Sequence, residues 1–82
     1  MRVAVDISLY PLADDFIPPI DDVIRRLNSH ESLEVTTNRM STQIRGEYDE
    51  VMAALNREIK TTFESSPKVV FAIKILNNPI GD

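Results

Sequence analysis

The sequence has no cysteine and no tryptophan, and only two of its 82 residues are glycine. Without cysteine there is no disulfide framework, no thiolate nucleophile and no cysteine-ligated zinc site. No run of apolar residues is long enough to cross a bilayer, and residues 1–11 are too short and too charged for a signal peptide. We therefore expect a cytoplasmic protein that does not insert into a membrane.

Basic residues are also in the minority, with nine lysines and arginines against 13 acidic residues and a net charge of −4. A nucleic-acid-binding protein of this size normally has a basic face, so the balance argues against a nucleic-acid partner. It mildly favours a neutral or cationic ligand over an anionic one. Acidic surfaces most often serve solubility alone, so this charge does not identify a ligand.

The length of the chain limits its hydrophobic core. A protein of this size buries about 60–65% of the surface that its unfolded chain exposes. The core is therefore thin, and association with further copies of the chain is expected. We assign residues 1–82 to a single domain, and we expect the turn-rich residues 76–82 to form a loose tail.

Four segments alternate apolar and polar residues with the period of two that is typical of half-buried strands. Pro11 ends the first strand because proline cannot donate to a strand ladder. The second and third strands are close enough to form a hairpin that turns near Asn38 and Arg39. The predicted strands cover residues 3–10, 33–37, 40–45 and 69–75.

The third strand leads directly into a helix. Met40, Thr42 and Ile44 share one face of the strand, and Gly46 is predicted to end it in a tight turn. Acidic residues then fall on the first turn of the helix, where the macrodipole favours negative charge. The helix is expected to end near residue 63 or 64, and its apolar stripe comprises Val51, Met52, Leu55 and Ile59.

An earlier apolar stripe of helical spacing runs from residue 17 to residue 27. Asp14 or Asp15 is predicted to cap this helix, and the prolines at positions 18 and 19 fit its first turn, where a missing N–H costs nothing. The charged or titratable side chains near its end are expected on the solvated surface: Arg25, Arg26 and His30.

The resulting order, β-α-β-β-α-β, predicts a ferredoxin-like α+β sandwich. In this fold four antiparallel strands lie in the spatial order 4-1-3-2, with both helices on one face of the sheet. Strands one and three are central neighbours that run in opposite directions. The end of strand one therefore lies beside the start of strand three.

Five polar side chains converge at that end of the predicted sheet. They offer hydroxyl and amide groups that both donate and accept hydrogen bonds, which suits a polar heterocycle. An alternative interpretation, which the residue types alone favour somewhat, is that they cover an exposed face and a turn. The five candidates are Ser8, Tyr10, Asn38, Ser41 and Thr42.

Asp6 is a charged residue in the middle of an aliphatic strand. Its carboxylate requires a partner if the helix-free face is covered by another subunit, and Lys74, across strands one and four, is the expected one. A second possibility is that Asp6 offsets the charge of a cationic ligand.

Several functions that are common on this fold are disfavoured by the sequence. An RNA-recognition sheet requires aromatic residues on its central strands, and Tyr10 is the only candidate. An acylphosphatase-type enzyme requires a phosphate-binding, arginine-bearing loop after strand one, whereas residues 11–15 are acidic here. The sequence also offers no nucleophile–base pair. We expect neither catalysis, nor a cofactor, nor a metal site.

Several motifs together resemble the thiamine-binding, YkoF-like family, which was long classified as a domain of unknown function. The resemblance covers nearly the whole chain in the same order. It is carried by DISLYPL at residues 6–12, M-S-T-x-I-x-G at residues 40–46, the D-E-V helix start at residues 49–51 and VVFAIKI at residues 69–75.

The resemblance implies a ferredoxin-like domain that assembles as a dimer or a dimer of dimers. It also implies binding of thiamine or its hydroxymethylpyrimidine moiety, in transport or salvage of the vitamin. Ser8 and Thr42 match motif positions of the family, whereas Tyr10, Asn38 and Ser41 are chosen from the predicted geometry. The chain departs from the family at residues 13–16, where glycine is frequent in other members, so the rim of the pocket differs.

The leading hypothesis is therefore a non-enzymatic homodimer or homotetramer that binds thiamine or hydroxymethylpyrimidine. In this hypothesis Ser8, Asn38 and Thr42 bond the pyrimidine edge, Tyr10 packs on a ring and Asp6 offsets ligand charge. The alternative is a ligand-free interaction module that assembles through its open sheet face or an edge strand.

Overall fold

The computed structural model describes residues 1–80, which form four strands and two helices in the expected order. The predicted ferredoxin-like α+β fold is confirmed. No helix formed by these residues is long and apolar enough to span a membrane. The elements are β1 (Arg2–Pro11), α1 (Ile17–Asn28), β2 (Glu34–Thr37), β3 (Thr42–Glu47), α2 (Tyr48–Ser65) and β4 (Val69–Asn77).

The sheet has the order β2-β3-β1-β4, and all of its neighbouring strands are antiparallel. This is the predicted arrangement. Ile7 of β1 pairs with Thr42 of β3, so the end of β1 lies beside the start of β3. Position 8 is consequently one step along the ladder from position 42, as the site hypothesis requires.

The alternation along β1 separates two environments. Its odd-numbered side chains are buried under the helices, whereas its even-numbered ones lie on the helix-free face, hereafter the open face. Asp6, Ser8 and Tyr10 therefore lie on the open face. The residues that form the core are Val3, Val5, Ile7, Leu9, Val23, Leu27, Leu33, Ile44, Val51, Ala54 and Leu55.

Helix α1 begins without the predicted aspartate cap. Phe16 occupies the N-cap position and makes no side-chain capping bond, so the prediction of Asp14 or Asp15 was wrong. The prolines at positions 18 and 19 do lie in the first turn, as expected. Because proline has no N–H, these residues reduce the number of unpaired donors that a capping side chain would have to satisfy.

Gly46 does not form a turn, contrary to the prediction. It lies within β3, paired with Val3, and α2 begins two residues later. A Cβ at this position would lie 3.1 Å from Leu33 Cδ2 and 3.2 Å from Val51 Cγ2. The glycine therefore serves a close approach between the strand, the preceding loop and α2 rather than a change of chain direction.

The third strand begins two residues later than predicted. Met40 is 85% exposed and belongs to the β2–β3 loop, whereas Thr42 and Ile44 face the helices as expected. The loop has its own hydrogen bonds, because Asn38 Oδ1 accepts from the backbone N–H groups of Met40 and Ser41. An Asn side chain that bonds the backbone ahead of it favours a turn over a continued strand.

The prediction of a loose tail over residues 76–82 was wrong for its first part. Strand β4 continues through Asn77, and the Asn78 N–H donates to the carbonyl of Arg2. Arg45 donates to the carbonyl of Ile80, which ties this segment to β3. The extra ladder positions exist because β1 begins at Arg2, early enough to pair with them. Residues 81 and 82 lie outside the described part of the chain.

Helices α1 and α2 are joined by a polar cluster that the sequence pattern did not indicate, hereafter the helix clamp. Arg26 donates from Nη1 to Glu58 Oε1 at 2.6 Å, from Nη2 to Thr62 Oγ1 at 2.6 Å and from Nε to Asp22 Oδ2 at 3.0 Å. His30 Nε2 lies 2.5 Å from Glu58 Oε2. The expectation that Arg26 and His30 are solvated was therefore wrong.

The helix clamp holds its carboxylates in the charged state. Burial raises the pKa of Glu58, but hydrogen bonds from His30 and Arg26 outweigh it and lower the pKa below the usual value. Hydrogen bonds from Arg25 and Arg26 likewise lower the pKa of Asp22. The clamp thus pairs nearly buried charges, with the Glu58 side chain 6% exposed and that of Arg26 14% exposed.

Candidate functional site

A cavity of about 510 Å³ lies at the end of the sheet where β1 meets β3. Its walls come from the end of β1, the connection to α1, the inner side of α1, the β2–β3 loop and one residue of β4. This volume lies within the range of about 300–1,000 Å³ that is typical of small-molecule sites. The end of the sheet is therefore built as a pocket.

The buried part of the cavity is apolar except at one point. Aliphatic side chains of β1 and α1 supply most of it, among them Ile7, Val23 and Leu27. The exception is Thr42, which is 5% exposed and faces the helices from β3. A ligand that enters the cavity would therefore leave water for an apolar surface that contains a buried hydroxyl.

Thr42 shares a hydrogen bond with the hydroxyl of Thr37 on the neighbouring strand. The two Oγ1 atoms are 3.0 Å apart and belong to residues that pair directly across β2 and β3. Two hydroxyls that bond to each other use one hydrogen and retain the second, together with unused lone pairs. This hydroxyl pair can both donate to a ligand and accept from it at the same place.

The mouth of the cavity is lined by exposed large side chains. Tyr10, Leu12, Phe16 and Met40 are all exposed, and they come from β1, the following connection and the β2–β3 loop. Exposed apolar residues gathered around a cavity typically mark a binding surface rather than the fold's own packing. A flat ring that enters the pocket would find aromatic and thioether surface here.

The β2–β3 loop supplies the polar groups of the rim. Because Asn38 Oδ1 is already bonded to the backbone of the loop, the Nδ2 amide group is what this side chain can offer a ligand. Ser8 Oγ donates to the carbonyl of Met40 at 3.5 Å, at the long limit for a hydrogen bond, and so connects β1 to the loop. The β2–β3 loop thus gives the rim an amide and a hydroxyl, together with the guanidinium of Arg39.

The structure brings five of the six predicted site residues to this cavity: Ser8, Tyr10, Asn38, Ser41 and Thr42. They reach it from different sides. Thr42 lies on the helix-facing side of the sheet, Ser8 and Tyr10 lie on the open face, and the other two lie in the loop at the sheet's end. The cavity collects them because it lies where the sheet stops.

Asp6 is the predicted residue that the structure does not bring to this cavity. It lines a smaller cavity of about 250 Å³ on the open face, with Gln43 and Lys74 as its cross-strand neighbours. The predicted register of Asp6 against Lys74 is therefore correct. Even so, Asp6 Oδ1 is buried and has no hydrogen-bond partner within residues 1–80.

Sequence reasoning missed the apolar part of the site. The inner stripe of α1 was predicted, but only as core packing, although residues from Ile20 to Leu27 of this stripe also line the cavity. Arg39 and Met40 were not considered as site residues, and Phe16 was considered only as part of a rim that differs from that of the family. No pattern in the sequence separates apolar residues that meet other side chains from those that meet an open space, because both obey the same helical spacing.

The polar side chains of the described cavity lining are hydroxyls, one amide and one guanidinium. The described lining residues include no carboxylate and no histidine. Within residues 1–80 no cluster of three or more histidine, aspartate or glutamate side chains could hold a metal ion.

Comparison with known proteins gives one family match and several structural relatives. The model of a family described as thiamine-binding protein matches residues 5–80. No curated protein sequence matches the chain. The family match therefore spans the whole sheet and both helices apart from the first residues of β1.

Solved structures with the same fold come from archaea and bacteria. The hypothetical protein MJ1052 of Methanocaldococcus jannascii has a TM-score of 0.82 and 24% identity, over 99% of this chain and 84% of that one. Protein SP2199 of Streptococcus pneumoniae has a TM-score of 0.77 and 20% identity, over 98% and 90%.

A third relative is a Thermotoga maritima protein, TM0486, described as a proposed thiamine biosynthesis/salvage protein. It has a TM-score of 0.69 and 19% identity, over 92% of this chain and 82% of that one. At these identities the structural likeness establishes a shared fold. The ligand has to be inferred from the residues of the site.

Proposed function

The chain belongs to the thiamine-binding protein family, and from that premise we propose that its cavity binds thiamine or the hydroxymethylpyrimidine moiety of thiamine without catalysing a reaction. The protein would serve transport or salvage of the vitamin in the cytoplasm. The description of TM0486 as a proposed thiamine biosynthesis/salvage protein agrees with such a role.

The observation that carries the proposal is a largely apolar cavity of about 510 Å³ with the Thr37–Thr42 hydroxyl pair in its wall. An aminopyrimidine has an amino donor beside a ring-nitrogen acceptor, and a hydroxyl pair that both donates and accepts is complementary to that edge. The apolar walls suit the faces of the ring and its methyl substituent. Asn38 and Ser8 would bond the remaining polar groups, Ser41 would add a hydroxyl, and Tyr10 would pack on a ring.

The lining supports a binding protein over an enzyme. None of its described residues is a carboxylate, histidine or lysine, which are the usual general acids and bases. The hydroxyl of Ser8 bonds to a backbone carbonyl rather than to a base that would activate it as a nucleophile. We therefore propose that the ligand leaves the site unchanged.

We further propose that the protein acts as a homodimer or homotetramer. The open face carries exposed apolar side chains, including Tyr10, Val70 and Leu76, together with the unpartnered carboxylate oxygen of Asp6. A second copy on this face would cover the apolar groups and offer Asp6 a donor. Sedimentation velocity should show a species of two or four chains, and a monomer at all concentrations would contradict this part of the proposal.

Isothermal titration calorimetry tests the ligand. We expect saturable binding of thiamine, of hydroxymethylpyrimidine or of both, and no binding of the uncharged hydroxyethylthiazole moiety, which lacks the aminopyrimidine edge. Ser8→Ala should weaken binding, because it removes a rim hydroxyl and its contact with the β2–β3 loop. Absence of saturable heat with both pyrimidine ligands would overturn the proposed function.

A further inference from the structure

The charge of the cavity is opposite in sign to that of the whole protein. Among its described lining residues Arg39, in the β2–β3 loop, is the one charged side chain. Arg39 is exposed, and no carboxylate within residues 1–80 forms an ion pair with it. The net charge of −4 belongs to other surfaces, and screening in physiological salt limits its reach to roughly 8 Å.

No acidic side chain is among the described residues that line this cavity. Asp6 lines the separate cavity on the open face. Asp14 and Asp15 are exposed in the connection after β1 and are not part of the lining. The nearly buried carboxylate of Glu58 is held by Arg26 and His30 in the helix clamp. A cation in the large cavity would thus meet Arg39 without a facing carboxylate.

We propose that this cavity selects uncharged aminopyrimidines over the cationic vitamin, with Arg39 as the specificity-determining residue. The inference deepens the proposed function and rests on it. Thiamine joins its aminopyrimidine to a permanently charged thiazolium ring, whereas hydroxymethylpyrimidine has no such charge. The aminopyrimidine ring that both ligands share suits the apolar wall and the hydroxyl pair. The thiazolium ring of thiamine, however, is repelled by Arg39 and loses hydration when it enters the cavity. Selection by repulsion is a common route to specificity.

The test must separate charge from size, because thiamine is also the larger molecule. Deazathiamine, in which a carbon replaces the charged thiazolium nitrogen, has nearly the same shape and no charge. Calorimetry should be performed above the pKa of the aminopyrimidine ring so that this ring is neutral in every ligand. We expect deazathiamine to bind at least about fivefold more tightly than thiamine, because one repulsion between charges near the protein surface is removed.

The variant Arg39→Glu should reverse the preference, because a carboxylate in the same place attracts the thiazolium. Lys60→Glu is the matched control: it makes the same change in net charge on the exposed surface of α2, outside the cavity. We expect the ratio of thiamine to deazathiamine affinity to rise in Arg39→Glu and to stay at the wild-type value in Lys60→Glu. Equal effects of both variants would assign the preference to the overall field and overturn the role of Arg39.

The outcomes distinguish this inference from the proposed function. If none of the three ligands binds, the proposed function fails. If they bind but the wild-type protein does not prefer the neutral isostere, or if Arg39→Glu leaves the ratio unchanged, the proposed function stands and the charge selection is wrong. Hydroxymethylpyrimidine provides the internal reference, because its affinity should change little in either variant.

Discussion

The protein has two clusters of polar side chains, the helix clamp and the cavity lining, and they differ in whether their hydrogen bonds are satisfied within the fold. In the helix clamp Arg26 and His30 both bond to Glu58, so the hydrogen-bonding capacity of its carboxylate is used within the fold. At the cavity, the hydroxyl pair and Asn38 are only partly used and face open space. Satisfied polar groups hold elements together, whereas partly satisfied groups at a concave apolar surface are available to a ligand.

The two regions also differ in charge. The helix clamp brings the Arg26 guanidinium, the His30 imidazole and the carboxylates of Asp22 and Glu58 together beside α1 and α2, where each has a partner. The described lining of the cavity has a single charge on its rim and hydroxyls in its wall. We therefore expect substitutions in the clamp to change stability first and substitutions at the cavity to change binding first.

The largest expected effect comes from removing Glu58. Glu58→Ala leaves Arg26 nearly buried with one of its charge partners lost, and should lower the free energy of unfolding by about 3 kcal/mol. Urea denaturation measures this loss. Glu64→Ala, at an exposed position of the same helix, is the control and should change stability by less than about 0.5 kcal/mol. A loss no larger than that of the control would remove the distinction between the regions.

The next largest effect should appear in binding. Thr42→Val keeps the shape of a buried side chain and removes the hydroxyl that faces the cavity. We expect affinity for the pyrimidine ligand to fall about tenfold, equivalent to ~1.4 kcal/mol, by calorimetry. Thr36→Val makes the same chemical change at an exposed position on the open face and should leave affinity unchanged. If both variants bind like the wild type, the hydroxyl pair has no part in recognition.

Acid should weaken the helix clamp while leaving the shape of the cavity intact at first. A carboxyl whose pKa is lowered on folding stabilises the protein fully above its unfolded pKa, and this contribution is lost as pH falls through the folded value. The pKa values of Glu58 and Asp22 are both lowered, so the free energy of unfolding should decline as the pH falls below the ordinary glutamate value of 4.5.

The variant Glu58→Gln isolates the contribution of Glu58 to that decline. Its stability should depend less on pH than that of the wild type in the acidic range, since one of the two titrating groups is gone. Glu64→Gln should retain the slope of the wild type. Urea midpoints measured across a pH series decide between these outcomes, and parallel curves for wild type and Glu58→Gln would contradict the assignment.

The smallest expected effect lies in the β2–β3 loop. Asn38→Ala removes the acceptor for the N–H groups of Met40 and Ser41 and should cost about 1 kcal/mol or less, because both groups are exposed enough to bond to water. Amide hydrogen exchange should accelerate at these two positions while the core strands retain their protection. Unchanged exchange at both amides would show that the loop keeps its shape without the asparagine.

Much of the fold could be predicted from local sequence pattern. The prediction for Gly46 was wrong because glycine can serve either a turn or a close approach within a strand. The alternation of Val3, Val5 and Ile7 predicted a strand and its buried face, because the side chains of a strand alternate strictly. Gly46 was predicted as a turn because glycine permits turns, but it lies in a strand, where a Cβ would be tightly placed against Leu33 and Val51. Only the packing of α2 against β3 distinguishes these roles.

Part of the candidate site could also be predicted, because the strand order follows from local pattern and chain connectivity. The strand order placed Ser8 near Thr42, and both line the cavity. The separation of Asp6 from that cavity was not predictable, because it depends on where the sheet ends relative to α1. The burial of Arg26 and His30 was equally hidden, since Arg26 has the spacing of an outward-facing residue of α1 and His30 follows the end of that helix. Only α2 supplies their shared partner, Glu58.

The order of the elements, the antiparallel sheet and the faces of its strands could all be derived from the residue pattern, because they follow from periodicity, chain connectivity and the handedness of crossovers. The same pattern also makes the hydroxyl-bearing ends of β1 and β3 neighbours. The open cavity at this end and the pairing of Arg26 of α1 with Glu58 of α2 became visible in the folded chain alone. Both depend on how closely the helices approach the sheet and each other, which is set by the mutual fit of side chains distant in the sequence.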